Sequence, residues 1–136
     1  MRVEWLVLAD AAEVVGNKLY LMGGGWDRLT VTANFPVAQH FGIAISVLVP
    51  WEETEKVHDF VMDVQSPQGK LLASIEAEFE VGKPSDPTPR LQRWQFASSV
   101  DLGLEGPGRY SVVIHLNGVE AALQEFEVLD GADGQP

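Results

Sequence analysis

Three histidines, His40, His58 and His115, are the side chains best suited to proton transfer or metal binding near neutral pH. None stands in an H-x-H, H-x3-H or H-E-x-x-H arrangement, so a zinc site would need ligands gathered from distant segments. A hydrolase would need a pocket that sets one of them beside a carboxylate and a nucleophile. The serines supply no ready nucleophile. There is no G-x-S-x-G elbow, and Ser46, Ser98 and Ser99 fall within strand-like runs where a hydroxyl is poorly presented. Glu76, Glu78 and Glu80 alternate along one segment, which puts successive carboxylates about 7 Å apart on one strand face. That separation suits a glycosidase pair, but a flat solvated face neither raises a pKa nor excludes water. It reads better as a solubilising face or a guarded sheet edge.

Three further groups could hold a ligand. Asp10, Asp27 and Asp101 lie near strand ends and could gather at one loop tip around calcium, whereas Asp130-Gly131-Ala132-Asp133 lacks the closing glutamate of a calcium loop. Trp26, Trp51 and Trp94 could form a sugar-stacking platform if two were exposed and coplanar; core packing is the simpler fate of tryptophan in a sandwich. Gly23-Gly24-Gly25-Trp26-Asp27 could make an anion-binding nest of backbone N–H groups. It has neither phosphate-loop nor dinucleotide spacing, so a glycine corner closed by an inward Trp26 fits better.

The elements that would position these residues are strands, because the apolar period is two nearly everywhere. Val3, Trp5, Val7 and Ala9 alternate with their neighbours in a strand covered on both faces. Phe41, Ile43, Ile45, Val47 and Val49 form a long inward row stopped by Pro50, and Phe60, Met62 and Val64 oppose Asp59 and Asp63. Ser66-Pro67-Gln68-Gly69 has turn chemistry. Leu71, Ala73, Ile75, Ala77 and Phe79 form the inward side of the strand that carries the three glutamates, and Trp94, Phe96, Val100 and Leu102 line the next. His58, two residues before Phe60, is expected as a capped edge residue. Tyr110 opens a strand after a Gly/Pro corner, as in the tyrosine corner of immunoglobulin-like domains.

Asn117-Gly118 closes a hairpin that pairs Leu116 with Val119, Ile114 with Ala121 and Val112 with Leu123, and sets His115 outward opposite Glu120. Unbroken, that parity would bury Glu125 and expose Phe126. A buried unpaired carboxylate costs several kcal/mol, so a β-bulge is expected between Leu123 and Phe126. The chain is thus expected to be all-β, a two-sheet antiparallel β-sandwich of immunoglobulin-like type with eight or nine strands; a barrel is the competing architecture. Residues 1–129 form the one domain, and 130–136 an unordered tail.

Composition narrows the function. Of 136 residues, 20 are acidic and 9 basic, a formal charge of −11, which disfavours nucleic acid and anionic membrane as partners. The absence of cysteine excludes thiolate nucleophiles, disulfides and Cys-type metal sites, and fits a reducing cytoplasm. The N-terminal apolar run of five, between Glu4 and Asp10, is too short for a signal core, and no stretch approaches the length of a membrane span.

Leu8-Ala9-Asp10-Ala11-Ala12-Glu13-Val14-Val15-Gly16-Asn17-Lys18-Leu19-Tyr20-Leu21-Met22-Gly23-Gly24-Gly25-Trp26-Asp27 resembles the pattern LADAA…GKLYLLGGGWD of a bacterial family of small proteins of unknown function. Val49-Pro50-Trp51-Glu52-Glu53-Thr54 is similar to that family's middle segment. The resemblance implies a compact, sandwich-like bacterial domain and carries no catalytic residues.

These readings converge on a non-enzymatic, cytoplasmic protein-binding or assembly module, without cofactor or metal. It would act on an unidentified protein partner or on itself. The docking elements expected are edge strands and two loops, one with Trp51, Glu52 and Glu53, the other with Lys83, Pro84, Asp86 and Pro87. The alternative is a glycan- or calcium-binding sandwich.

Overall fold

Among the described residues the alternation resolves into nine strands: β1 Arg2–Val15, β2 Lys18–Gly24, β3 Arg28–Val31, β4 Val37–Val49, β5 Val57–Gln65, β6 Leu71–Glu80, β7 Gln92–Leu104, β8 Gly108–Leu116 and β9 Val119–Asp130. The computed structural model describes residues 1–131 apart from Pro87. One sheet has the order β2-β1-β4-β7, the other β3-β9-β8-β5-β6. The architecture is a β-sandwich. Every pairing is antiparallel except β3 with β9, which run parallel. The parallel pair arises because the chain leaves the first sheet at Gly25, whose N–H donates to the Leu8 carbonyl at 2.8 Å, and enters the second sheet beside its last strand. Trp26 fills that crossing with edge-on contacts to Phe41 and Phe126.

The inward row of β4 meets Phe60, Met62 and Val64 of β5, Val112 and Ile114 of β8, and Phe126 and Val128 of β9. Tyr110 stacks on Phe126, and its hydroxyl donates to the Gly106 carbonyl at 2.8 Å, which closes the expected corner. The other face of β4 is covered too: Ala44 and Ser46 are fully buried. The covering comes from β1. Past Ala9, β1 leaves β4 and crosses over it, and a Cβ on Gly42 would stand 2.8 Å from the Ala12 nitrogen. Only glycine allows so close a crossing.

Three bulges keep the strands in phase. In β9 the extra residue is Ala121: Ile114 pairs with Ala122 and His115 with Glu120. The bulge therefore precedes Leu123, not follows it as the sequence suggests. The consequence for Phe126 is as expected, since it is 1% exposed while Glu125 faces outward. The consequence for Leu123 is not, for it pairs with Val113 and is 54% exposed. Gln124 takes the half-buried position opposite Val112, with its amide donating to the Glu125 carbonyl. A neutral amide that reaches a carbonyl is tolerated there where a carboxylate is not. In β6 the extra residue is Leu72, so Leu71 turns outward, 54% exposed, and Leu72 packs against the core in its place. Asp130 ends β9, and the Gly131 N–H donates to the Val31 carbonyl; residues 132–136 lie outside the described ones.

The third bulge is at Glu4, between the Val3–Val47 and Trp5–Ser46 pairs. Its carboxylate accepts Ser46 Oγ at 2.8 Å and the Arg93 guanidinium twice, at 2.7 and 2.8 Å. The Arg93 and Ser46 hydrogen bonds lower the Glu4 pKa from 4.5 to about 2.

Two measurements check this account. Phe126→Ala is expected to cost about 3–5 kcal/mol in urea unfolding and Leu123→Ala less than about 1 kcal/mol; a cost of about 2 kcal/mol or more for Leu123→Ala as well would place the bulge after Leu123. Folding lowers the Glu4 pKa, so its ionised form stabilises the native state above pH 4.5 and that contribution is lost as pH falls toward 2. Glu4→Gln should flatten the fall in melting temperature across that window and leave the neutral side of the profile with the same shape.

Candidate functional site

The chain turns out of β4 at Pro50 into one turn of 3-10 helix, Trp51–Glu53. Thr54 closes it: its N–H and its hydroxyl both reach the Trp51 carbonyl, at 3.2 and 2.6 Å. Glu55 then takes a φ of +60° and gives its N–H to the Val81 carbonyl at 2.8 Å. That bond ties the first expected loop to the second. Side chains repeat the connection. Lys83 Nζ lies 5.2 Å from the centre of the Trp51 ring and 3.6 Å from the Glu55 carboxylate.

The turn is held from beneath by a histidine. His58 is 2% exposed on β5, an interior strand between β8 and β6, so it is not an edge residue. One ring nitrogen, Nε2, lies 2.7 Å from the Glu53 carbonyl, and the other, Nδ1, lies 3.0 Å from the Asn117 amide nitrogen. A carbonyl can only accept, so Nε2 carries the proton and Nδ1 accepts from Asn117. Asn117, at the β8–β9 turn with φ +50°, also takes the Asp59 N–H on its side-chain oxygen at 2.9 Å and returns its own N–H to the Asp59 carbonyl. Asn117 and His58 thus join the hairpin tip, the start of β5 and the 3-10 turn into one polar network. Both ring nitrogens of His58 are engaged, which leaves the imidazole no free nitrogen for chemistry.

Trp51, Glu53 and Lys83 therefore share one surface. Glu52 is exposed beside them, Glu53 keeps its carboxylate 4.0 Å from Lys56, and Pro84 is half-buried. Asp86 turns to its own loop, accepting the Thr88 hydroxyl at 2.9 Å and standing 3.7 Å from Arg90. Pro87 lies outside the described residues.

The remaining candidates are dispersed. His40 and Asp101 form an exposed pair at 2.6 Å across β4 and β7, and His115 pairs in register with Glu120. Asp10 lies against Gly23, Asp27 accepts the Glu127 N–H on its carbonyl, and Asp101 is on β7 with His40. Among the described residues no three His, Asp or Glu side chains gather as a metal-holding group. The tryptophans do not form a platform. Trp94 stacks on Phe79 with centroids 3.9 Å apart against the core, Trp26 packs at the sheet crossing, and Lys83 covers Trp51. Glu76, Glu78 and Glu80 line the solvent face of β6, an edge strand.

A second surface escaped the sequence. Residues Asp10 to Gly24 form an arm: the end of β1 and all of β2, joined by Gly16-Asn17 with φ of +58° and +62°. Both values being positive makes the turn type I′. Val15, Tyr20, Leu21 and Met22 on this arm are 51, 55, 39 and 72% exposed. Gln95 of β7 donates to the Asn17 carbonyl at 3.0 Å, and a groove of about 790 Å³ lies between the arm and β7, bordered by Glu13, Tyr20, Met22, Gln95 and Ser98. The signal was in the row Leu19-Tyr20-Leu21-Met22, which has no polar alternation and so cannot hide its apolar side chains on one face of a two-stranded arm.

A family model described as a family of unknown function (DUF6941) matches residues 4–129, a span that includes both surfaces. No curated protein matches the chain.

The polar network makes its own prediction. Asn117→Ala leaves the Asp59 N–H and His58 Nδ1 without partners and should cost about 2–4 kcal/mol in urea unfolding. Lys83→Ala, which removes only an exposed cation–π contact and ion pair, should cost less than about 1 kcal/mol.

Proposed function

We propose that the chain, which belongs to the DUF6941 family of unknown function, is a non-enzymatic protein-binding or assembly module of the bacterial cytoplasm. The observation that carries this reading is the arm. Its exposed apolar side chains, Val15, Tyr20, Leu21 and Met22, sit on or next to β2, whose outer edge has no neighbour in the sheet among the described residues. An apolar cluster that water must otherwise cover, next to unpaired backbone groups, is the composition of a docking surface. The joined loops offer a second, polar contact area with Trp51 and Lys83 at its centre. The charge of −11 supports a protein rather than a nucleic acid as partner. The bacterial and cytoplasmic parts of the reading rest on the motif resemblance and the lack of cysteine. Among the described residues no helix is long and apolar enough to cross a membrane.

Site-specific photo-crosslinking in living cells tests the reading. Benzoylphenylalanine in place of Tyr20 is expected to yield discrete protein adducts, and the same probe in place of Glu78, on the acidic edge strand, none above background. Equal labelling at the two positions, or none at Tyr20, would remove the arm as a docking surface.

A further inference from the structure

We infer that the partner of the arm is a second copy of this chain, joined by antiparallel pairing of β2 with β2 about a twofold axis at Tyr20; this rests on the assembly reading above. The four outermost strands are unequal. Two copies of β6 would bring Glu76, Glu78 and Glu80 against each other, and β3 offers only four residues. Neither β3 nor β7 has an exposed large apolar side chain, and β7 carries an acid, Asp101. In a chain of net charge −11, β2 has no acidic residue, one lysine, and three exposed large apolar side chains. It is where two equally acidic copies meet with least repulsion and most apolar surface to cover.

The turn then sets the register. In a two-residue hairpin the residues flanking the turn, here Val15 and Lys18, exchange backbone hydrogen bonds, and hydrogen-bonded pairs alternate along the ladder. Lys18, Tyr20 and Met22 therefore point their N–H and C=O groups inward to β1, and Leu19 and Leu21 point theirs outward. An antiparallel twin uses those outward groups when Leu19 of one copy faces Leu21 of the other. Tyr20 then meets its own counterpart across the axis as a non-hydrogen-bonded pair, and Lys18 meets Met22. The alternative centre at Leu21 would place Leu19 against Gly23, whose φ of +61° breaks the regular edge. With Tyr20 on the axis, both copies use only the regular part of the strand.

The register is directly testable, because a residue on the axis is the only one that meets itself. The chain has no cysteine, so single cysteines report without background. Tyr20→Cys should oxidise to a covalent dimer, since non-hydrogen-bonded partners stand about 4.5 Å apart at Cα, within disulfide range. Leu19→Cys and Met22→Cys should remain uncrosslinked. By light scattering the wild-type chain should approach twice the 14.9 kDa of one copy as concentration rises. Tyr20→Glu sets two carboxylates across the axis and should abolish the dimer. Met22→Glu faces the other copy's Lys18 and should preserve it, with thermal unfolding of both variants confirming that they fold. A mass of one copy at every concentration, or crosslinking that is equal at the three cysteine positions, overturns the proposal. If photo-adducts from Tyr20 then join a different protein, self-pairing falls while the assembly reading stands.

Discussion

The structure depends on one constraint: each strand must keep its apolar side chains in phase with a two-residue period, or a charged group enters the core. A pleated strand has no other adjustment than to insert a residue. The chain does so three times, at Glu4, Leu72 and Ala121. Each bulge disturbs the ladder locally, while the slip it corrects would invert every side chain beyond it. At Ala121 the correction keeps Phe126 between Trp26, Phe41 and Tyr110. At Glu4 the extra residue also has a partner set of its own, so a phase correction doubles as an ion-pair anchor between β1 and β7.

Much of the sandwich was legible because the rows that build its core alternate without interruption. Phe41 to Val49 and Trp94 to Leu102 read as strands at sight, and Tyr110 after Gly106-Pro107-Gly108 announced its corner. The bulge of β9 was legible in its necessity but not in its place, since Ala121 and Leu123 present a similar apolar pattern and only the packing of the facing strand decides between them. The parallel pairing of β3 with β9 was not legible at all. It joins segments nearly a hundred positions apart, and four residues carry no signal of direction.

The loops divide in the same way. Their irregularity followed from Pro50 and from the prolines at 84 and 89, but their union did not, because the Glu55–Val81 bond and the Lys83–Trp51 contact arise only once β5 and β6 lie side by side. His58 shows the limit of local reading most clearly. Nothing near it in the sequence points to Asn117, and the pair becomes visible only when the Asn-Gly turn of β8–β9 reaches the first residues of β5. The arm escapes for a different reason: the row Leu19 to Met22 is apolar enough for a strand, but a strand's existence says nothing about whether a third element covers it.

The crossing at Gly25 bears on how the protein is made. Because β3 lies against β9, β3 is locked in place by a strand synthesised nearly a hundred residues after it. Trp26 likewise waits for Phe126. The second sheet stays open on that flank until β9 has emerged from the ribosome, and contacts so distant along the chain form slowly. During translation the apolar faces of β4 and β5 are thus left without their final cover, the interval in which a chaperone would find the most to hold.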